Sequence, residues 1–308
     1  MKWSLRENLK KIQWLRYLVK LLRKTLEPTA VYRKSDYFHP SLPTNNLESI
    51  DKEEVIVVGS FKSEKYLLKS APKRLIENAA HFFGVWEPDI AEFIYSALNK
   101  GNKGSIMLDI GANIGATTIP QAVNYPNLNF VCIEAHPAVY ERLQENISIN
   151  QLRNVQIFNK AITNSQSGQH VEFYAQDVTS ENFGLSSLTL NHDIENFEKI
   201  TIEASSVDTL LKNIEGKVCL IKIDTQGGEL AILHSATNTI IHHRPIIIFE
   251  FEEEYHSNPK QQRAEIYRFF EENGYQLFTM PSSTGIMYKV TFKGFFHGDI
   301  VAIPMLEL

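Results

Sequence analysis

The sequence predicts an α/β fold, in which a doubly wound, mostly parallel sheet follows a helical extension at the N-terminus. Two observations lead to this prediction. From residue 105 onward, short and almost continuously apolar runs alternate with segments of helical period, which is typical of a parallel sheet that helices cover on both faces. Before it, residues 1–34 hold ten basic and two acidic residues, whereas the rest of the chain holds 21 basic and 34 acidic ones. Because the chain after residue 34 is acidic, it does not suit a nucleic-acid-binding core, which needs a basic surface.

Residues 1–52 are predicted to form a basic amphipathic helix and a linker. Apolar side chains recur every three or four residues over 3–26, and most Lys and Arg fall on the other faces. We expect this stripe to pack on the body of the protein or on a second subunit, with peripheral contact to an anionic membrane as the alternative. Lys20, Arg23 and Lys24 interrupt the apolar run, so no secretory signal is expected and the protein is predicted to be cytoplasmic.

Residues 53–103 are predicted to form a hairpin and helices that lead into the core. The extended pieces EVIVVG (54–59) and KYLLKS (65–70) are short enough and close enough to pair. The sequence Trp86-Glu87-Pro88 is expected to start a helix, because proline fits the first helical turn.

Residues 104–308 are predicted to form the cofactor-binding domain. Its predicted strands are 105–111, 129–135, 155–163, 170–175, 218–224 and 245–252, and its predicted helices are about 116–124, 137–150, 229–241 and 261–274. The segment 199–207 interrupts this alternation. The last pieces, YQLFTM, GIMYKVTF and DIVAIP, are expected to add antiparallel strands at the sheet edge.

The loop after the first strand of this domain carries the main functional signal. Asp109 lies two residues before Gly111, and Gly111 and Gly115 flank Asn113 before the next helix. Glycine permits a positive φ and a close approach of ligand to backbone. The spacing differs from the G-x-G-x-x-G of dinucleotide sites. A carboxylate here repels a pyrophosphate and attracts a cationic amino-acid ligand, which favours S-adenosylmethionine.

Glu134, at the end of the second strand, is predicted to hold the ribose hydroxyls of the cofactor. This feature alone does not separate a methyl donor from NAD, but together with Asp109 it favours S-adenosylmethionine. One alternative is an NAD-dependent oxidoreductase on the same architecture. Another is a non-catalytic binding protein that the basic helix docks to a membrane or a larger assembly.

The chain resembles the FkbM family of S-adenosylmethionine-dependent methyltransferases over about residues 81–255. The resemblance rests on the residues Trp86-Glu87-Pro88, LDIGANIGATT (108–118), IKIDTQGGELAILHSA (221–236) and RPIIIFE (244–250), and FGLSSL (183–188) adds to it. It implies a seven-stranded class I methyltransferase fold, which is Rossmann-like, with strand order 3-2-1-4-5-7-6. It also implies O-methylation of a hydroxyl on a saccharide, a glycan or a secondary metabolite.

Carried over residue by residue, the resemblance implies that Asp109, Gly111, Asn113 and Gly115 line the cofactor and that Glu134 holds its ribose. Asp224 is then expected beside the reactive sulfonium and the incoming hydroxyl. The chain departs from the family pattern at Thr225-Gln226-Gly227, where Val-Glu-Gly is commoner. Gln226 cannot act as a base.

The catalytic prediction is Asp224 as the leading general base, with Glu250 and His192 as further candidates. Glu250 ends the next strand and is expected to face the same cleft, and His192 lies in a polar loop that could cover a substrate. Ser186 and Ser187 are expected either to position a hydroxyl or to form a turn.

Glu229, at the start of the helix after Asp224, is predicted either to take part in catalysis or to stabilise the helix dipole. Asp224, Glu250 and Glu252 could meet around a Mg²⁺, but no metal is predicted because nothing in their spacing requires one. Cys132 and Cys219 lie in apolar runs and are expected to be small buried thiols.

Overall fold

The computed structural model describes residues 55–70, 76, 80, 84–164, 168–176, 186, 197–280, 287–291 and 296–305. The helix predicted over 3–26 and the candidates Ser187 and His192 lie outside these residues. The described elements are β1 Val55–Phe61, β2 Glu64–Ser70, α1 Pro88–Leu98, β3 Ile106–Ile110, α2 Thr118–Asn124, β4 Asn129–Ile133, α3 Pro137–Ile149, β5 Val155–Phe158, β6 Ala161–Ile162, β7 His170–Gln176, β8 Phe197–Ser205, α4 Val207–Leu211, β9 Val218–Ile223, α5 Glu229–Ser235, α6 Thr237–His243, β10 Ile246–Phe251, a 3₁₀ turn Glu253–Tyr255, α7 Pro259–Glu272, β11 Tyr275–Thr279 and β12 Gly298–Pro304.

The central sheet has seven strands in the order β5-β4-β3-β9-β10-β12-β11. Strand β12 runs antiparallel to both of its neighbours, and the other described pairings are parallel. Numbered along the chain within this sheet, the order is 3-2-1-4-5-7-6. The predicted seven-stranded, doubly wound class I methyltransferase fold is therefore confirmed.

Both faces of the central sheet are covered, which explains why its inner strands are almost continuously apolar. All five residues of β3 are buried. Leu108 and Ile110 face a core that also holds side chains of α5 and α7, such as Leu233 and Phe270. Met107, the residue before Leu108, faces the opposite core with side chains of α1 and α2. Side chains on a strand alternate between its faces, and this parity decides which polar residues can meet.

The predicted strand 155–163 is divided between two sheets, which corrects the single strand expected there. Strand β5 stays in the central sheet, and β6 belongs to a three-stranded sheet of order β6-β8-β7. Between them, the Asn159 side-chain amide donates to the carbonyls of Glu134 and Ala135 at 2.9 and 3.0 Å. These bonds hold the chain at the tip of β4, and it leaves the central sheet there. The segment 199–207, expected only to interrupt the pattern, contributes most of β8.

The predicted hairpin is confirmed, since β1 and β2 pair antiparallel over their full length. It is tied to the first loop of the core through one buried side chain. Asn146 of α3 accepts from the backbone N–H of Lys69 at 2.7 Å and donates to the carbonyl of Ile114 at 2.9 Å. The hairpin thereby supports the glycine loop from behind.

At the C-terminal edge, YQLFTM and DIVAIP form the predicted antiparallel strands β11 and β12. Within 287–291 the structure shows only a single bridge, between Phe278 and Lys289. Cys132 is buried, Cys219 is half-buried, and both are free thiols. In the described part of the chain, no helix is long and apolar enough to cross a membrane.

Candidate functional site

A cavity opens at the carboxyl ends of β3, β4 and β9, and its lining includes Gly111, Glu134 and Asp224. Strand β3 lies between β4 and β9, so the chain reverses its winding direction at this position. Ligands of open α/β sheets bind at such a reversal, outside the carboxyl ends of the strands.

Gly111 brings the first loop into direct contact with the tip of β9. Its φ is 80°, and a Cβ at this position would lie 2.0 Å from the carbonyl oxygen of Asp224. Only glycine accepts both conditions. Gly115, at φ 88°, fits where a Cβ would lie 2.8 Å from the side chains of Ile119 and Leu143. Gly111 therefore shapes the cavity wall, whereas Gly115 allows the helices behind the loop to pack and is not a cavity-lining residue.

Glu134 is fixed at the tip of β4 by two backbone donors. Its Oε2 accepts from the N–H of Asn113 at 2.9 Å and its Oε1 from the N–H of His136 at 2.8 Å. Burial, together with the charges of Asp109 and Asp224, raises the pKa of Glu134 to about 7 against these two hydrogen bonds. Glu134 and Asn113 both line the cavity, so the structure brings these two predicted residues together.

His136 serves as a cap at the start of α3. Its Nδ1 accepts from the N–H of Ala138 at 3.2 Å, and its Nε2 lies 2.9 Å from the carbonyl oxygen of Gln176. The ring lies edge-on to Phe173. His136 is buried and lines the cavity. Its contacts with Gln176 and Phe173 connect this part of the cavity wall to strand β7.

The three-stranded sheet closes the far side of the cavity. Ile162 and Phe173 supply apolar surface, and Lys160 and Ser186 supply polar groups. Ser186 Oγ accepts from the N–H of Gln176 at 3.0 Å. Of the two serines predicted to position a hydroxyl or form a turn, Ser186 therefore stands on the cavity wall.

Asp224 lies just beyond β9, lines the cavity and is held by Lys222. The Nζ of Lys222 donates to Asp224 Oδ2 at 2.6 Å. Lys222 is only 4% exposed. Burial alone would lower its pKa, but the carboxylates of Asp224, Asp109 and Glu87 outweigh burial and raise it. Sequence reasoning missed Lys222, although a single lysine inside the apolar strand VCLIKID was a usable signal, because a buried lysine requires a partner.

Asp109 lies behind the cavity wall, not on it. Its side chain is 1% exposed, and Oδ2 accepts from Thr118 Oγ1 at 2.6 Å. Its Oδ1 is buried and has no hydrogen-bond partner among the described residues. Burial raises the pKa of Asp109. Its position follows from strand parity, because Asp109 points to the α1–α2 face of the sheet together with Met107.

Glu250 also points to the α1–α2 face and is not among the residues that line the cavity. It pairs across the sheet with Asp299 of β12. Burial first, and then the charges of Asp224, Asp299, Glu87 and Glu252, raise the pKa of Glu250 to about 9. Glu250 therefore holds a proton at neutral pH, which does not suit the base predicted there.

Glu229 anchors the loop that carries Asp224. Its Oε1 accepts from the N–H of Gly227 at 3.1 Å, and its Oε2 lies 3.4 Å from Nε2 of His256. Burial raises the pKa of Glu229 to about 8. A Cβ on Gly227 would lie 2.6 Å from the carbonyl oxygen of Tyr255, so this loop packs closely on the segment after β10. Glu229 is buried within this packing and is not a solvated charge at a helix end.

Among the described residues, no group of three or more His, Cys, Asp or Glu side chains is arranged to hold a metal ion. The carboxylates near Asp224 instead surround the ammonium of Lys222, as the raised pKa of this lysine shows.

Topology and cavity together are those of the class I methyltransferase fold. The chain belongs to the methyltransferase FkbM domain family, whose model matches residues 109–277. The predicted family is thereby confirmed, and with it S-adenosylmethionine as the cofactor. Substrate and methylated atom are not set by this membership.

Individual relatives are distant. The chain is 23% identical over 145 residues to Methyltransferase 1 of Beauveria bassiana, and the match covers 42% of this chain and 57% of that relative. It thus spans little more than half of that relative's length. Among solved structures, it is similar to methyltransferase FkbM from Methylobacillus flagellatus KT, with 15% identity, a TM-score of 0.43 and coverage of 74% of this chain and 52% of that one. It is also similar to M. jannaschii TYW2 in complex with AdoMet, with 17% identity, a TM-score of 0.38 and coverage of 85% and 90%.

Proposed function

We propose that this protein is an O-methyltransferase that transfers the methyl group of S-adenosylmethionine to a hydroxyl of a saccharide, a glycan or a secondary metabolite. The observation that carries the proposal is the Asp224 carboxylate, which lines the cavity beside the glycine loop and is fixed by Lys222 at 2.6 Å. A carboxylate at this place can take the proton of an alcohol as the oxygen becomes a nucleophile.

The residues of the cavity fit the cofactor. Glu134, held by two backbone amides, offers its remaining lone pairs to a ribose diol. Gly111 leaves bare backbone next to the tip of β9. Ile162 and Phe173 give apolar surface suited to a planar base. When bound, S-adenosylmethionine supplies a methyl group that its positive sulfur has already activated for displacement.

The chain's own part in the reaction is to align the acceptor and move one proton. Aligning the two reactants supplies much of the rate enhancement in a displacement of this kind. Because Oδ2 of Asp224 is engaged by Lys222, we assign Oδ1 as the atom that accepts the hydroxyl proton. Lys222 acts through Asp224 and is a positioning residue.

Glu250 and His192 are secondary parts of this proposal. Glu250 holds its proton at neutral pH, because its pKa is raised to about 9 by burial and neighbouring charges. We therefore assign proton removal to Asp224 and not to Glu250. We retain His192 as a candidate from its sequence position alone.

The test is transfer of an isotope-labelled methyl group from S-adenosylmethionine to a panel of sugars, glycans and polyketide alcohols, with matched amine and thiol acceptors. We expect label on oxygen, and we expect Asp224→Asn to lower turnover by about a hundredfold or more, with cofactor affinity nearly retained. Glu141→Gln, at an exposed position of α3, serves as the control and should transfer at the wild-type rate. Label on nitrogen or sulfur alone, or an unchanged rate in Asp224→Asn, would refute the proposal.

A further inference from the structure

Glu87 is a half-buried acid that the proposed reaction leaves without a role. It stands immediately before α1 in the left-handed region, with φ 44° and ψ 70°. Ser, Thr, Asp or Asn in this position usually caps the helix by accepting from a backbone N–H. Glu87 makes no such bond. Its Oε2 is instead buried and has no hydrogen-bond partner within the described chain.

Asp109 shows the same deficit on the same side of the sheet. Thr118 occupies Oδ2, while Oδ1 lacks a donor among the described residues, and the whole residue is 1% exposed. Buried polar atoms in folded proteins are nearly always hydrogen-bonded. Two buried carboxylate oxygens without donors therefore indicate a donor that the described part of the chain does not supply.

The charges around Glu87 indicate what kind of donor is missing. Lys222 is the cation that acts on Glu87, and it is already bound to Asp224 at 2.6 Å. Burial, together with the charges of Asp224, Asp299 and Asp109, raises the pKa of Glu87 to about 8 against the opposing effect of Lys222. Acidic groups thus outnumber the cations that act on Glu87, and a further cation would favour its ionised form. A primary ammonium supplies one positive charge and three N–H donors, which suits these oxygens.

We infer that Glu87 binds, together with Asp109, the α-ammonium group of S-adenosylmethionine. The inference rests on the cofactor of the proposed function. Asp224 connects the cavity with the carboxylates around Lys222, because it lines the cavity and also pairs with Lys222. With the ribose at Glu134, the amino-acid end of the cofactor would extend past Gly111 and Asp224, toward the buried oxygens of Glu87 and Asp109 behind the cavity wall.

Calorimetric titration with two nucleosides tests the inference. S-adenosylmethionine carries the ammonium, whereas 5′-methylthioadenosine lacks the whole amino-acid end. We expect Glu87→Gln to weaken S-adenosylmethionine binding by about tenfold or more, as for loss of a hydrogen bond to a charged group. Binding of 5′-methylthioadenosine should be unchanged. Glu92→Gln, an exposed position on the same helix, is the matched control and should bind both nucleosides like the wild type.

A second measurement needs no variant. Docking of an ammonium favours the ionised carboxylate, so Glu87, which is mostly protonated at pH 7, should lose its proton on binding. Titrations at pH 7 in buffers of different ionisation enthalpy should show proton release with S-adenosylmethionine and none with 5′-methylthioadenosine. Equal release with both nucleosides, or release with neither, overturns the inference.

The outcomes separate this inference from the proposed function. If wild-type protein binds neither nucleoside, the proposed function fails. If wild-type protein binds both and Glu87→Gln binds S-adenosylmethionine equally well, only the role of Glu87 fails. A variant that weakens both nucleosides equally shows a purely structural role and also overturns the inference.

Discussion

Gly111→Ala tests the close approach of the glycine loop to β9. The new methyl group would lie 2.0 Å from the carbonyl oxygen of Asp224, which is backbone and cannot rotate away. At φ 80°, any L side chain also carries the penalty of the left-handed region, about 1–2 kcal/mol. Separating the two chain segments adds the penalty of overpacking, about 1–3 kcal/mol. We therefore expect the free energy of unfolding to fall by about 2–5 kcal/mol.

Gly104→Ala provides the matched control for Gly111→Ala. Gly104 has nearly the same φ, 79°, and a Cβ there would meet nothing within 4 Å. This variant should lose only the left-handed penalty of about 1–2 kcal/mol. Urea denaturation followed by circular dichroism and tryptophan fluorescence measures both values. Equal losses in the two variants would show that the loop does not press against the tip of β9, and the cavity geometry would then be wrong.

Two further predictions concern the supports of the site. Asn146→Ala removes the partner of a buried N–H of the hairpin and of a carbonyl of the glycine loop. The free energy of unfolding, measured by urea denaturation, should therefore fall by about 2–4 kcal/mol. A loss under about 1 kcal/mol would show that Asn146 does not support the loop. Burial raises the pKa of Glu229 to about 8 from 4.5, so the native state binds more protons than the unfolded state between these values and stability should fall as the pH rises through them. The decline should be shallower in Glu229→Gln by up to about 1.4 kcal/mol per pH unit, and identical slopes in the two proteins would refute the assignment.

The sequence predicted the central sheet well because its local signals agree. The apolar runs, the turn glycines and the helical periods all point to one doubly wound topology. The split of 155–163 was not predictable, because it depends on the amide of Asn159 reaching carbonyls of another strand tip. That contact joins residues from different strands and leaves no local pattern.

Within the site, Gly111, Asn113, Glu134 and Asp224 were predictable because each follows directly from a strand end. Asp109 was identified, but its orientation was not. The sequence does not show which face of the sheet a given residue of β3 points to, because this depends on which helices pack on each face.

The partners of the buried carboxylates could not be predicted in the same way. Glu87, Lys222 and Asp299 come from three distant segments and meet only through the topology. A lone lysine in an apolar strand signals a buried charge, but it does not name the carboxylates around it.

The central claim is that the cavity at the strand tips binds S-adenosylmethionine through Glu134, and calorimetric titration of the wild type and Glu134→Ala tests it most directly. The wild type should bind one equivalent of S-adenosylmethionine and show no response to NAD. In the variant, the ribose hydroxyls can no longer donate hydrogen bonds to a charged acceptor. Binding should therefore be weaker by about tenfold or more. Binding of NAD in preference to S-adenosylmethionine, or equal affinity in wild type and variant, would contradict the account.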